Sequence, residues 1–556
     1  MMNDFKERKS GTEYDDLMAM PVEFRKQLQE FNLSLKKYED RPQGLTFPTR
    51  ECGGLPLDCD GMDEHRTIYV DSQDSHTLVL GATGSKKSRL VVMPGVKLLG
   101  AAGESMIITD PKAEIYNRTA YELEQIGYRV VVVNFRNPTL GNSWNPLYLP
   151  YVFYKKNEID RTCELVNDIA LNLMVNQKSV SDPFWNDSAG DLFFGLVLTL
   201  FKMCAENDLP EEYVDISNVL RLRSQLFDGV GSPSMSPIWK YVRDDEIIAP
   251  ALNAVIPTAQ DTRAGILSTF DQKVRYFMYQ PNLMDMLANN TVDISNIAEE
   301  KTAFYLIMPD EKTTFHPLIS LFIKQSYEYL IYQAQNNPGN KMKIRLNYIL
   351  DEFSSLPTIK DFPAMITASR SRNIRFCLVV QSKHQLSQRY GEETETIQSN
   401  CNNWIFLTSR ELQLLQELSS LCGNVRDGRL PLVSISALQH LDKNKGEALV
   451  LCGRKNPYYA RLWDIDQYDN GRYKQRPILP EARNQREKID GRSIALKYLS
   501  KEEFPVFQEG KDIMSSVNRN ETDMKLDDII KQIDLKIKEL EDQEESDTKS
   551  EDADEV

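Results

Sequence analysis

The eight cysteines are scattered along 556 residues, with no C-x-x-C pair and no histidine cluster near any of them. This excludes a zinc module of ordinary ligand spacing, offers no disulfide framework, and fits a reducing, cytosolic setting. Long hydrophobic runs are missing too. The longest, Leu192–Ala205, holds 14 residues and includes Lys202, whereas a membrane-spanning helix needs roughly 20. Residues 1–45 are studded with charge and do not read as a secretory signal. Positive charge is in deficit: the net charge is −16, and residues 541–556 alone hold nine Asp or Glu against one Lys. Such a chain is not built to coat nucleic acid, although a basic channel inside an acidic exterior is compatible with it.

What is present is a globular composition in a chain long enough for two or three structural units. The most informative stretch is His76–Leu90. An apolar run with strand character ends at Gly81, the loop Ala82-Thr83-Gly84-Ser85-Lys86 follows, and Lys87-Ser88 opens a stretch of helical spacing. This is the layout of a phosphate-binding loop. Backbone N–H groups and the helix amino end surround phosphates, the Lys reaches β/γ-oxygens, and the Ser hydroxyl ligates Mg²⁺. Against G-x-x-x-x-G-K-[ST] one position departs, because Lys86 stands where a glycine is expected. A Cβ at a left-handed position costs about 1–2 kcal/mol. The competing reading is an ordinary, basic strand-to-helix turn.

Alternating elements follow: a helix over 88–99, a strand over 105–108, a helix over 113–126 and a strand over 128–134. That order implies parallel β-α-β units, whose ligands gather at the carboxyl ends of strands. Asp110 lies at such an end, where it either orients a metal's water or caps the next helix. Residues 155–265 read as mostly helical, with Phe184, Trp185, Leu192, Phe193 and Leu196 as core. The α/β pattern resumes at 303–308, and the apolar run 344–350 closes in Asp351-Glu352. With a phosphate loop upstream, Asp351 is expected to hold Mg²⁺ through water and Glu352 to polarise the attacking water. Arg370 and Arg372 fall on a helix after it, suited to reach a neighbouring subunit's γ-phosphate or simply to be solvated. Gln381 ends the strand 376–380, either sensing phosphate or capping the strand.

Residues 466–510 read as a loosely folded extension. Leu526, Ile530, Ile533, Ile537 and Leu540 then recur at 4-3-4-3 spacing, a short heptad seam, and the acidic tail after it is disordered by composition. The expected division is a partner-binding arm over 1–45, a nucleotide-binding domain in two parts over 46–154 and 266–470, a helical domain over 155–265, and an extension over 471–556.

Taken in order, Ser105–Glu114, Trp144-Asn-Pro-Leu147, Asp182-Pro-Phe-Trp185, Asp351-Glu-Phe353, Ser369-Arg-Ser-Arg372 and Gln381-Ser382 resemble the type IV coupling proteins of conjugation, the TraG/TraD group. The resemblance runs from about Gly54 to Tyr468. It implies an α/β, RecA-like P-loop domain carrying an inserted all-helical substrate-recognition domain, and ATP with Mg²⁺ as cofactors. It also implies DNA-stimulated hydrolysis and a homo-oligomer, hexameric when active. The implied partners are a relaxase with its relaxosome proteins, single-stranded DNA, and a type IV secretion channel. By motif match Gly81–Ser88 would bind nucleotide, Ser88 and Asp351 metal, and Glu352, Gln381 and Arg370 or Arg372 would act in catalysis. Two family glycines are replaced, by Lys86 and Ala113. Many family members begin with membrane-spanning helices; without them, the expectation is a cytoplasmic protein held at the inner face of the membrane by an adaptor or channel partner.

Overall fold

The computed structural model describes residues 43–46, 53–61, 67–174, 183–228, 232–424, 430–453 and 455–503. Most of the 1–45 arm, the heptad seam, the acidic tail and Asp182 lie outside the described residues.

Three short strands come first, β1 Gln43–Thr46, β2 Pro56–Asp60 and β3 Thr67–Val70, which pair antiparallel in the order β1-β3-β2. The remaining strands build one sheet. They are β4 Thr77–Leu80, β5 Ser105–Asp110, β6 Arg129–Asn134, β7 Thr302–Ile307, β8 Leu346–Leu350, β9 Ile374–Val380, β10 Asn403–Phe406, β11 Glu447–Cys452 and β12 Tyr458–Arg461. Their order is β12-β11-β10-β4-β9-β8-β5-β7-β6. From β10 to β6 every neighbouring pair is parallel, while β11 and β12 add antiparallel at one side. Apolar runs such as Thr77–Leu80 and Leu346–Leu350 are buried along their whole length, as strands covered on both faces must be.

Two cores lie against the sheet. One gathers Val79, Val91, Val96, Ile108, Tyr116 and Val379 beneath the helices Met93–Ala102 and Glu114–Gln125. The other joins Leu80, Leu350 and Phe376 to the helix His316–Gln335 and to the helical segment.

That segment is longer than its sequence pattern indicates. Helices begin at Tyr148 and continue through Asn296–Glu299. The expected end at residue 265 falls inside the helix Gln260–Met278. Its spine is Pro183–Glu206, 24 residues long and apolar enough to cross a membrane by length and composition, yet 72% of its apolar window is buried inside the protein. Leu192, Phe193 and Leu196 are core as expected and Trp185 packs against it, whereas Phe184 is exposed. A buried Lys324 on His316–Gln335 joins this segment to the rest: its Nζ lies 2.8 Å from Asp168 of the helical segment and 3.3 Å from Asp361, which precedes the helix Phe362–Ser369.

The chain after β12 is a strap, not the loosely folded extension its Arg, Lys, Gln and Pro content suggests. Gly141 N–H donates to Leu479 O at 2.9 Å and Asn142 Nδ2 to Glu481 at 3.2 Å, beside β6. Further on, Asn484 N–H donates to Asn289 Oδ1 at 2.8 Å and Ile489 N–H to Asn218 Oδ1 at 2.9 Å, on the helical segment. The described residues up to Leu496 form one compact unit; a second starts at Lys497, of which only the end of the helix Gly491–Glu503 is described.

At the amino ends of the strands, His76 ties β4 to the helix that leads to Arg370. The Phe376 N–H donates to its Nδ1 at 2.9 Å, so Nε2 carries the proton and donates to Ile366 O at 2.7 Å. Burial lowers this imidazole's pKa to about 4 from its ordinary 6.5. The unfolded chain protonates first on acidification. The stability His76 contributes is therefore full above pH 6.5 and lost as pH falls toward 4, by at most about 3 kcal/mol. Denaturant melts across that window should give a steeper pH slope for the natural chain than for His76→Gln; equal slopes would refute the assignment.

Candidate nucleotide site

The phosphate loop begins where β4 ends. Gly81 N–H donates to Val380 O at 3.3 Å and Ala82 N–H to Thr408 O at 2.8 Å, so the loop hangs from the ends of β9 and β10. A Cβ on Gly81 would stand 2.5 Å from Ser85 Oγ, so any larger residue would force that side chain to move. Lys86 has φ +66°, in the left-handed region that favours glycine, as the motif anticipated. Ala113, the other replaced family glycine, has φ +59°. After Lys87 the helix starts as a π-helical turn, Ser88–Val92, and continues as the α-helix Met93–Ala102. Lys86 and Arg89 both face Asp464, with Lys86 Nζ 3.9 Å from it and Arg89 Nε donating at 3.0 Å.

The loop, Asp351, Glu352 and Gln381 meet at the carboxyl ends of three adjacent strands, β4, β9 and β8. Buried Lys87 donates from Nζ to Gly81 O at 2.6 Å and to Ala82 O at 3.4 Å. Burial lowers its pKa, opposed by the nearby carboxylates of Glu352 and Asp351. Ser88 Oγ donates to Asp351 Oδ2 at 2.9 Å. Burial, with Glu352 adding its charge, pushes the Asp351 carboxyl up to about 6. Glu352 has φ +56°, and Gln381 Nε2 donates to both of its carboxylate oxygens, at 2.7 and 2.6 Å. Thr83 Oγ1 in turn donates to Gln381 Oε1 at 2.8 Å, so a chain of hydrogen bonds runs from loop apex to Glu352.

Asp110 accepts the Tyr116 N–H at 2.7 Å. It thus satisfies the first turn of the helix Glu114–Gln125, the capping alternative of its two expected roles. It is fully buried, and burial pushes its pKa up to about 7.

The donor set fits a magnesium nucleotide. Ser88 Oγ, a hard oxygen at the loop's end, suits direct ligation of Mg²⁺, and Asp351 Oδ2, which it meets at 2.9 Å, is placed to hold such an ion through water. Ser85 Oγ is buried in the loop without a hydrogen-bond partner among the described residues.

Arg370 and Arg372 are elsewhere. They form the 3₁₀ turn Arg370–Arg372 just before β9 begins, at the amino ends of the strands. The length of β9, seven residues, separates them from Gln381 by roughly 20 Å at ~3.3 Å per residue. Arg370 is exposed and donates from Nε to Asp74 O at 2.8 Å. Arg372 is half-buried and turns back onto Ala368 O at 3.0 Å. Neither belongs to this chain's own phosphate site.

A parallel sheet with a phosphate loop after one strand, Asp-Glu after the next but one, and Gln on the strand between is the arrangement of a RecA-like P-loop nucleotide-binding protein. The chain belongs to the type IV secretory system conjugative DNA transfer family, whose model matches residues 54–426. It is 20% identical over 355 residues to the conjugal transfer protein TraG of Agrobacterium fabrum (strain C58 / ATCC 33970), covering 63% of this chain and 51% of the relative. To protein VirD4 of Rhizobium radiobacter it is 22% identical over 367 residues, covering 64% and 49%. The chain thus spans about half the length of the curated relatives it matches. In fold it resembles the plasmid coupling protein TrwB, solved with the non-hydrolysable ATP analogue ADPNP, at TM-score 0.53 and 17% identity over 80% of this chain and 98% of that solved chain. An unbound TrwB structure gives 0.50 and 17% over 74% and 88%.

Proposed function

We propose that this chain is the ATP-driven coupling protein of a conjugative transfer system, which recruits relaxase-bound single-stranded DNA to a type IV secretion channel. The observation that carries this is the joint placement of Lys87, Ser88, Asp351, Glu352 and Gln381 at adjacent strand ends in a chain of this family. In this reading Lys87 holds β/γ-phosphate, and Ser88 and Asp351 hold Mg²⁺, which offsets phosphate charge when bound. Glu352 orients and deprotonates the attacking water, and Gln381 reports on the terminal phosphate through Thr83. Arg370, exposed at the far edge, serves the site of the next subunit in a ring, hexameric when active. The helical segment receives relaxosome proteins, and a channel or adaptor protein holds the assembly at the inner face of the membrane.

The test is steady-state ATP hydrolysis with and without single-stranded DNA. The expected result is turnover that DNA raises. Arg370→Ala and Lys87→Ala chains, each inactive alone, should recover part of that turnover when mixed, since a mixed ring joins an intact loop to an intact arginine. No recovery would remove the trans role of Arg370.

A second reading, a nucleotide-gated docking platform for relaxosome proteins with little turnover, has one observation in its favour: Lys86 occupies a left-handed position. ATP binding without hydrolysis in the natural chain, with hydrolysis appearing in Lys86→Gly, would select it.

A further inference from the structure

Lys443 lies far outside every motif of the phosphate site, yet its Nζ donates to Gly84 O at 2.9 Å across 359 positions of sequence. The topology explains how it arrives. Phe406 of β10 is level with Leu80 of β4, and Leu449 of β11 is level with Phe406. Because β11 runs antiparallel, the residues just before it stand beyond the carboxyl ends of the parallel strands, where the phosphate loop is.

The turn that carries Lys443 is braced. Asn444 N–H donates to Asp442 Oδ1 at 2.8 Å, Lys445 N–H to Asp442 O at 3.1 Å, and Asp442 N–H to Glu447 Oε2 at 3.1 Å. Gly446 has φ +68°, and a Cβ there would lie 1.9 Å from Leu462 O, so the turn is pressed against the chain after β12. Gly84 itself has φ +76° and sits at the exposed apex of the loop. Lys443 Nζ lies 3.9 Å from where a Gly84 side chain would begin.

We propose that Lys443 is a positioning residue of the phosphate loop: its ammonium grips the Gly84 carbonyl and holds the left-handed apex in the shape that receives a nucleoside triphosphate. The inference rests on the nucleotide-binding reading above. A carbonyl gripped by a cation is turned away from the oxyanions that the loop receives. Lys443 acts through the loop and leaves the water and the metal to other residues.

The test is equilibrium titration of the full chain with the fluorescent nucleotide mant-ATP and Mg²⁺, together with steady-state hydrolysis. It compares the natural chain, Lys87→Ala, Lys443→Met, Lys443→Arg and, as a neighbour on the same turn, Lys445→Met. Lys443→Met should raise Kd and KM about tenfold with kcat within about twofold, and Lys443→Arg should restore both to within about threefold. Lys445→Met should match the natural chain. Unchanged affinity in Lys443→Met, an equal loss in Lys445→Met, or a lowered melting temperature without nucleotide would each overturn the proposal, the last by making the contact a plain structural clamp. Failure of the natural chain itself to bind mant-ATP would refute the nucleotide reading instead, so the two failures are distinguishable.

Discussion

Lys87→Ala lowers nucleotide turnover by at least about 100-fold, the scale of removing a cation aimed at charge developing in the transition state. The expectation comes from where this ammonium is kept. It is buried beneath the loop and held by two of the loop's own carbonyls, Gly81 and Ala82. In the proposed role an incoming phosphate would replace weak neutral acceptors with strong charged ones, and the low dielectric around the buried lysine would magnify the gain. With the carboxylates of Asp351 and Glu352 left uncompensated, the alanine chain should also bind nucleotide more weakly. Turnover in a coupled-enzyme assay and binding by titration should fall together. A Lys87→Ala chain that hydrolyses at the natural rate would mean that the catalytic site lies elsewhere.

Glu352→Gln separates the two functions. It should reduce hydrolysis by about 10²–10⁴-fold, the usual worth of a general base, while leaving nucleotide affinity within about threefold, since Lys87, Ser88 and Asp351 are untouched. Gln381 grips both carboxylate oxygens of Glu352 and is itself bonded by Thr83. In the proposed role Glu352 is therefore tethered to the loop that would receive the terminal phosphate. Glutamine can keep one of the two bonds but accepts no proton from water. Single-turnover hydrolysis gives the rate, and titration gives the affinity. Equal loss of both would recast Glu352 as a binding residue.

The α/β alternation was legible because apolar runs ending in Gly, Pro or Asp mark strand ends, and the strand ends carry the chemistry. Lys86 at a left-handed position was legible for the same reason: the loop motif dictates backbone shape as well as residue type. Three things were not. The helical segment continues past residue 265, first as the rest of Gln260–Met278 and then through short helices such as Pro281–Ala288, too brief to declare a period. The strap after β12 has no apolar rhythm at all, and its order comes from hydrogen bonds to Asn142, Asn218 and Asn289, which nothing local encodes. Lys443 is one lysine among many until an antiparallel strand brings it to the loop.

The strap has a mechanical consequence. The helical segment leaves the sheet after β6 and returns at β7, two crossings that by themselves would let it swing like a door. The strap adds a third fixing, from Leu479 and Glu481 beside β6 to Ile489 on the helix Ile216–Phe227. Together with the Lys324 ion pairs to Asp168 and Asp361 and the core shared with the sheet, these fixings turn a hinge into a bracket. On the function proposed above, work generated at the phosphate loop would be delivered by the whole subunit tilting as a lever, with little bending between its two parts.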